Sequence, residues 1–153
     1  MSNLVIAIDL SEDEPRVIAL VGAREHVLKT RVVGNLCSGL EHYRKVPSWR
    51  KPRYLKFFEK RYVRLKPFLD IARIVFSPSE AERLLLSIRP SLVVVDNKLL
   101  KSIDYEPKIA EDAPKPRYLD KLITIADNLA NYFRLILKND PKQFREELKK
   151  FEK

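Results

Sequence analysis

The chain is poor in residue types on which several common protein chemistries depend. Its 153 residues include one cysteine, Cys37, so no intrachain disulfide can form, and a reducing compartment, the cytoplasm, is the expected location. One cysteine and two histidines, His26 and His42, are too few for a structural zinc site. The spacing does not support Cys37 and a histidine as a nucleophile–base pair, and a small buried thiol is the more common role for a lone cysteine.

Glycine is also scarce, with three in the whole chain. The glycine-rich loops that cradle phosphates are absent, so no nucleotide cofactor is expected. The G-x-S-x-G turn that carries the nucleophile of many serine hydrolases is absent as well. No uncharged run approaches the ~20 residues that span a bilayer. No basic segment precedes the first apolar run, so we expect neither a transmembrane segment nor a signal peptide.

The composition is that of a folded, basic protein. Hydrophobic residues make up 45% of the chain and charged residues 33%, which predicts a globular protein, and the length suits one domain over residues 1–153. Ten prolines, few glycines and abundant Lys, Arg and Glu are typical of proteins from thermophiles. The net charge of +9 favours acidic partners.

An apolar run near the N-terminus, LVIAIDL over residues 4–10, predicts a strand that is buried on both faces at the centre of a sheet. Asp9 lies where this strand leaves the core. Residues 16–21 and 26–33 are predicted to follow as antiparallel strands, because the connections are too short for a parallel crossover. Residues 26–33 carry alternating charges, which suit an edge strand. The first third of the chain therefore predicts a three-stranded meander.

A β-α-β unit is predicted further along the chain. Residues 71–76 form an apolar strand, Ser77 and Pro78 begin a helix with Glu80 placed for a capping box, and Pro90 ends it. Residues 92–95 form a second buried strand that ends at Asp96. The two strands are expected to be parallel, with a right-handed crossover.

The remaining segments predict helices and one long loop. Helices are expected over residues 53–66, over residues 119–137 and, as a charged terminal helix, within residues 141–153, whereas the proline-rich residues 104–117 predict a surface loop. The predicted fold class is therefore α/β, with a mixed five-stranded sheet flanked by helices.

The carboxylates that follow the buried strands are the best candidates for chemistry. Asp9 and Asp96 each end such a strand, and ligands of open α/β sheets gather at the carboxyl ends of strands. Two aspartates at one edge could hold Mg²⁺ or Mn²⁺, which prefer oxygen ligands, and Asp127 or Asp120 on the long helix could add a third. The alternative is that Asp9 and Asp96 cap turns and that the helical aspartates face solvent.

The order of elements, together with the sequences IAIDLS around Asp9 and RPSLVVVD ending at Asp96, resembles the ribonuclease H-like superfamily. The second motif is similar to the strand that ends in a metal-binding aspartate in endonuclease V-like members. The resemblance implies a metal-dependent nuclease in which Asp9, Asp96 and Asp127 are catalytic and Asp9 and Asp96 hold Mg²⁺ or Mn²⁺.

One feature departs from the superfamily's common topology, in which the strand beside the first one ends in an acid. If residues 71–76 form that neighbouring strand, its end offers Ser77, and the metal site is incomplete. If residues 92–95 form it, the site is retained and residues 71–76 become an extra strand. The sequence leaves both arrangements open, and with them a domain that has lost catalysis.

Residues 41–68 form a basic, aromatic arm. The arm carries ten basic and two acidic residues and seven of the fourteen aromatic residues. Cations neutralise phosphates and exposed rings stack on unpaired bases, so the pattern indicates nucleic-acid binding. The residues predicted to bind are Trp49, Arg50, Lys51, Arg53, Tyr54, Lys56, Lys60 and Arg64. The alternative is a helix with a buried aromatic face and a solvated basic face, and an acidic protein or anionic lipid could use the same charge.

Two functions remain open on the sequence. The first is a nucleic-acid-binding protein that acts as a divalent-metal-dependent nuclease. The second is a non-catalytic ribonuclease H-like domain that docks onto RNA, DNA or an acidic protein. The sequence does not indicate an oligomeric state.

Overall fold

Five strands form one mixed sheet in a computed structural model that describes residues 3–153. The strands are β1 (Leu4–Leu10), β2 (Ile18–Arg24), β3 (Ile71–Val75), β4 (Leu92–Val95) and β5 (Lys108–Ala110), and their order across the sheet is β3-β2-β1-β4-β5. β2 is antiparallel to both β1 and β3, whereas β4 is parallel to both β1 and β5. The α/β class and the mixed five-stranded sheet predicted from the sequence are confirmed.

β1 lies at the centre of this sheet, as its apolar sequence predicts. Alternate side chains enter two separate cores, because successive residues of a strand point to opposite faces. Ile6 and Ile8 pack with Leu85 on one face, whereas Val5 and Ala7 belong to the core on the other face. Asp9 follows this buried run and is itself buried.

Within residues 3–153, six α-helices cover the two faces of the sheet. They are α1 (Glu25–Leu28), α2 (Arg31–Cys37), α3 (Lys51–Leu65), α4 (Pro78–Ile88), α5 (Arg117–Asn139) and α6 (Phe144–Phe151). Leu85 of α4 belongs to the core on one face, and the apolar sides of α2, α3, α5 and α6 contribute to the core on the other. No helix within residues 3–153 is both long enough and apolar enough to span a membrane.

The predicted strand over residues 26–33 is wrong, because this segment folds into α1 and the start of α2. Thr30 caps α2 by accepting a hydrogen bond from the Val33 N–H, and Lys29 pairs with Glu25 one helical turn away at 2.8 Å. The alternation of charged and apolar residues is therefore satisfied by short helices. β3 pairs with β2 instead. The residues of β3 on either side of Arg73 are apolar, and they are buried in that position.

The predicted surface loop over residues 104–117 is also incorrect in part, because it contains β5. Lys108–Ala110 pairs in parallel with β4. Pro107 precedes this strand and the next prolines follow it, so they flank the ladder rather than interrupt it. A strand of three residues is too short to show a periodic pattern in the sequence.

The question of which strand lies beside β1 has a definite answer. β4 is its parallel neighbour, with Ile8 opposite Val95. β3 and β4 run in the same direction, as predicted, but β2 and β1 lie between them. β3 is thus the third strand of the meander rather than an extra strand, and Asp9 and Asp96 end neighbouring strands.

Ser77 caps α4 as the sequence predicts, since its hydroxyl accepts a hydrogen bond from the Glu80 N–H at 3.2 Å. We expect Ser77→Ala to lower the free energy of unfolding by about 1 kcal/mol, the usual cost of losing such a cap. Urea denaturation would measure the loss. Ser79→Ala, at an exposed position in the same turn, is the matched control, and an equal loss in both variants would contradict the capping role.

Candidate metal centre

Three carboxylates meet at one edge of the sheet. Asp9 lies near the end of β1, Asp96 directly follows β4, and Glu111 directly follows β5. Each offers one oxygen, and these three oxygens all lie within 4.8 Å of one another. Because β1, β4 and β5 are parallel, their carboxyl ends share an edge, which is where open α/β sheets bind ligands. The arrangement provides an all-oxygen donor set for a hard divalent cation.

Backbone N–H groups orient two of these carboxylates. Asp96 accepts hydrogen bonds from the Leu10 N–H at 3.1 Å and from the Lys98 N–H at 2.9 Å. Glu111 accepts one from the Asn97 N–H at 3.2 Å. The donors belong to β1 and to the turn after β4, so the sheet itself fixes the direction of both side chains.

Asp127 reaches the same region from α5. Its Oδ2 accepts a hydrogen bond from the Tyr43 N–H at 2.7 Å and lies 3.9 Å from the His42 Nδ1. Asp127 is near enough to Asp9 to hydrogen bond with it and to act on it through its charge. It is outside the three-carboxylate group, so it contacts the site from the side of Asp9 and anchors the segment that contains Tyr43.

Crowding of the carboxyl groups perturbs their protonation. Burial, and then a hydrogen bond with Asp96 and the charge of Asp127, raise the pKa of Asp9 well above its ordinary value of 3.8. Burial, followed by the charge of Asp96, also raises the pKa of Glu111. Burial alone would raise the pKa of Asp96, but hydrogen bonds from Asp9 and from two backbone N–H groups outweigh it, and that pKa is lowered. Within the pair, a proton is therefore held more readily by Asp9 than by Asp96.

The raised pKa of Asp9 predicts how stability depends on pH in EDTA. The folded protein binds the Asp9 proton more tightly than the unfolded chain, so the contribution of this group to stability is lost as pH rises from the ordinary value of 3.8 through the folded pKa. Asp9→Asn has no such proton. We expect its stability advantage over the original protein, measured by urea denaturation in EDTA, to grow as pH rises. An advantage that is the same at all pH values would contradict this assignment.

A cleft of about 310 Å³ opens beside Asp96 and Glu111, two members of the acidic group. Asp96 and Glu111 lie on its wall together with three cationic side chains, Arg44, Lys45 and Lys98, and two further carboxylates, Asp112 and Asp120. Arg44 belongs to the 3₁₀ helix Tyr43–Lys45, and its charge acts to lower the pKa of Glu111. The cleft thus combines carboxylates for a metal with three cations that can contact an anionic substrate.

Part of the predicted nucleic-acid-binding set is exposed. Trp49 has 79% of its surface exposed, and the basic side chains on the outer face of α3 are also exposed. These side chains are Arg53, Lys56, Lys60 and Arg64.

Three other members of the predicted set are engaged inside the molecule. The prediction that Tyr54 binds nucleic acid is corrected here. Tyr54 is buried and its hydroxyl hydrogen bonds with the backbone of Glu41, so its ring is not available to stack on a base. Arg50 pairs with Glu41 at 2.8 Å. The Lys51 ammonium lies 4.5 Å from the centre of the Tyr43 ring, so we assign it to anchoring α3 rather than to the outer surface.

Glu111 is the member of the acidic group that sequence reasoning missed. Glu111 follows β5, and the prolines on both sides of β5 led to the prediction of a loop there. Two apolar residues before an acid, in Ile109-Ala110-Glu111, are the local signal, and it is weak. Arg44 and Lys45 belong to the basic arm of residues 41–68, but only the structure places them at the acidic cleft.

Comparison with known proteins identifies the fold but not the family of this chain. No protein-family model matches the chain, and no curated protein matches it. Among solved structures, the crystal structure of the ribonuclease H2 from Pyrococcus horikoshii OT3 superposes with a TM-score of 0.55 at 17% sequence identity, over 95% of this chain and 78% of that one. The chain has a ribonuclease H-like fold. The resemblance predicted from the sequence is confirmed at the level of the fold, since 17% identity carries no more than that.

Within this ribonuclease H-like fold, the acidic group occupies the carboxyl edge of three adjacent parallel strands. Asp9 and Asp96, predicted as a pair, are brought together, and Glu111 joins them. The donor set is compatible with a divalent metal ion.

Proposed function

We propose that this protein is a divalent-metal-dependent phosphodiester hydrolase that acts on nucleic acid. One observation carries the proposal: Asp9, Asp96 and Glu111 place three carboxylate oxygens within 4.8 Å of one another, beside a cleft whose wall also carries Arg44, Lys45 and Lys98. The ribonuclease H-like fold supports it. The site draws strands from both halves of the chain together with α5, which supports a single functional domain, and we retain the cytoplasm as its proposed location.

The proposed metal is Mg²⁺ or Mn²⁺, because the donors are carboxylates and no sulfur or imidazole belongs to the three-residue group. Burial and the neighbouring carboxylates raise the pKa of Asp9, so without a cation the cluster favours a proton at that position. A divalent cation would displace that proton and relieve the repulsion. When bound, such an ion lowers the pKa of water and stabilises charge on a phosphoryl group.

The remaining residues have roles in holding the substrate and the site. Arg44, Lys45 and Lys98 line the same cleft as Asp96 and Glu111, where they can neutralise phosphates of a bound strand. Asp127 holds the Tyr43 N–H and thereby keeps the Arg44 side of the cleft against α5. The backbone donors to Asp96 keep its carboxylate aimed at Asp9 before any ion arrives.

A cleavage assay tests the proposal. End-labelled single-stranded DNA, single-stranded RNA, duplex DNA and an RNA/DNA hybrid would be incubated with the protein and Mg²⁺ or Mn²⁺, with EDTA as the control. We expect products with at least one substrate, and none in EDTA. Nucleic-acid binding without cleavage of any substrate would contradict the hydrolase and leave the non-catalytic binding domain as the function.

A further inference from the structure

The outer face of α3 carries a row of cations that are not used inside the molecule. Arg53, Lys56, Lys60 and Arg64 are exposed, and none of them forms an ion pair with any residue from 3 to 153. At ~100° per residue they fall within about 80° of the helix circumference. The buried side of α3 lies opposite, so the row faces outward along its whole length.

The row has a direction relative to the acidic cleft. The N-terminal end of α3 lies beside the cleft, since Lys51 covers the Tyr43 ring and the Tyr43 N–H is bonded to Asp127. From Arg53 to Arg64 the row then extends for about 16 Å at 1.5 Å per residue. That length matches roughly five nucleotides of one stacked strand at ~3.4 Å each.

Trp49 lies between the cleft residues and this row in the sequence, and it is the most exposed large apolar side chain in residues 3–153. It has no aromatic partner in that part of the chain. A second cleft, of about 380 Å³, lies beside the start of α3 between Gly39 and the side chains of Arg53 and Phe57. An exposed indole just before α3 in the sequence and a mostly apolar cleft with a guanidinium group at the start of α3 both suit unpaired bases.

We propose that Trp49 and the outer face of α3 form a track for a single-stranded segment of nucleic acid that leads away from the acidic cleft. A base stacks on Trp49, and the four cations of the row contact successive phosphates. A blunt duplex offers the indole far fewer sites, because only its two terminal base pairs leave a base face uncovered. The position of the track relative to a cleavage site rests on the proposed function, but the binding itself does not.

Trp49 is the only tryptophan in the chain, so its fluorescence reports on the track directly. The measurement is a titration of the whole protein in EDTA with a single-stranded oligonucleotide of about 15 nucleotides and with a blunt duplex of the same length. We expect strong quenching by the single strand and little by the duplex. Equal quenching by both, or none by the single strand, would overturn the proposal. Quenching by an acidic polypeptide such as polyglutamate that matches the single strand would also overturn it.

Two variants test the contacts by fluorescence anisotropy of a labelled strand. Trp49→Ala is expected to weaken single-strand binding about tenfold, the usual size for loss of one stacked base. Lys56→Gln combined with Lys60→Gln is expected to reduce the slope of log affinity against log salt by about 1.4, or ~0.7 for each lost phosphate contact. The charge-matched control is Lys142→Gln with Lys149→Gln, at exposed positions outside α3, and an equal change in slope in this control would contradict the track.

The outcome is separable from that of the proposed hydrolase, because binding is measured without metal. Quenching without any cleavage would retain the track and reject the hydrolase. Cleavage without selective quenching would retain the hydrolase and reject the track.

Discussion

Asp9→Asn and, separately, Glu111→Gln are expected to reduce metal-dependent cleavage by at least roughly 100-fold, the upper end of what even outer partners of metal ligands contribute. Each change removes one anionic oxygen from a group of three that lie within 4.8 Å of one another. Both replacements keep the shape of the side chain, so the fold is preserved. The measurement is the initial rate of cleavage of the best substrate across a metal titration.

Glu111→Gln is the sharper of the two variants, because Glu111 entered the site only through the structure. Asp104→Asn is its control, since Asp104 is an exposed carboxylate outside the acidic group. Full activity in Glu111→Gln with a loss in Asp9→Asn would reduce the centre to Asp9, Asp96 and Asp127, as the sequence alone suggests. Full activity in both would move the chemistry elsewhere in the molecule.

Metal binding is expected to stabilise the protein strongly. A ligand that binds only the folded state adds about 2.7 kcal/mol at 100 times its Kd, which is roughly 5–10 °C in Tm for a protein of this size. We expect Mn²⁺ to produce such a rise in the original protein and in Asp104→Asn. Thermal unfolding in EDTA and then in Mn²⁺ measures the difference.

The same experiment separates a lost site from a lost fold. Asp9→Asn removes a buried carboxyl whose burial and acidic neighbours raise its pKa, so in EDTA at neutral pH it should be at least as stable as the original protein. In Mn²⁺ the rise in Tm should be absent. A variant that is unstable in EDTA, or one that keeps the full metal-induced rise, would contradict the place of Asp9 in the centre.

The parts of the fold that the sequence predicted well have strong local patterns. β1 and β4 are continuous apolar runs that end in an acid, α4 has a serine cap, and α5 has an apolar stripe over most of its length. In each case the local preference agrees with the environment that the fold provides. The pairing of Asp9 with Asp96 follows from those strands once β4 is known to lie beside β1.

The parts that the sequence did not predict depend on contacts between distant residues. Residues 26–33 alternate like an edge strand, and only the presence of β3 at the open edge of β2 leaves them to form helices. β5 is three residues long and exists because β4 offers it a partner. Glu111 is carried to the site by that pairing.

For the basic arm, too, the sequence predicted the composition of the surface but not the contacts that its residues make. Its charge and aromatic content were evident from composition, but their use inside the molecule was not. Tyr54 and Arg50 both bind Glu41, so they hold the arm in place. The outward row on α3 and the exposed Trp49 are left for a partner.

The most direct test of the acidic centre is a crystal structure of the protein grown with Mn²⁺, with diffraction data collected to locate manganese by its anomalous scattering. We predict an anomalous peak between the side chains of Asp9, Asp96 and Glu111, at coordination distance from an oxygen of each. Crystals that contain Mn²⁺ but show no peak at these three carboxylates, or show it only at other acids, would contradict the proposal that this edge of the sheet is a metal centre.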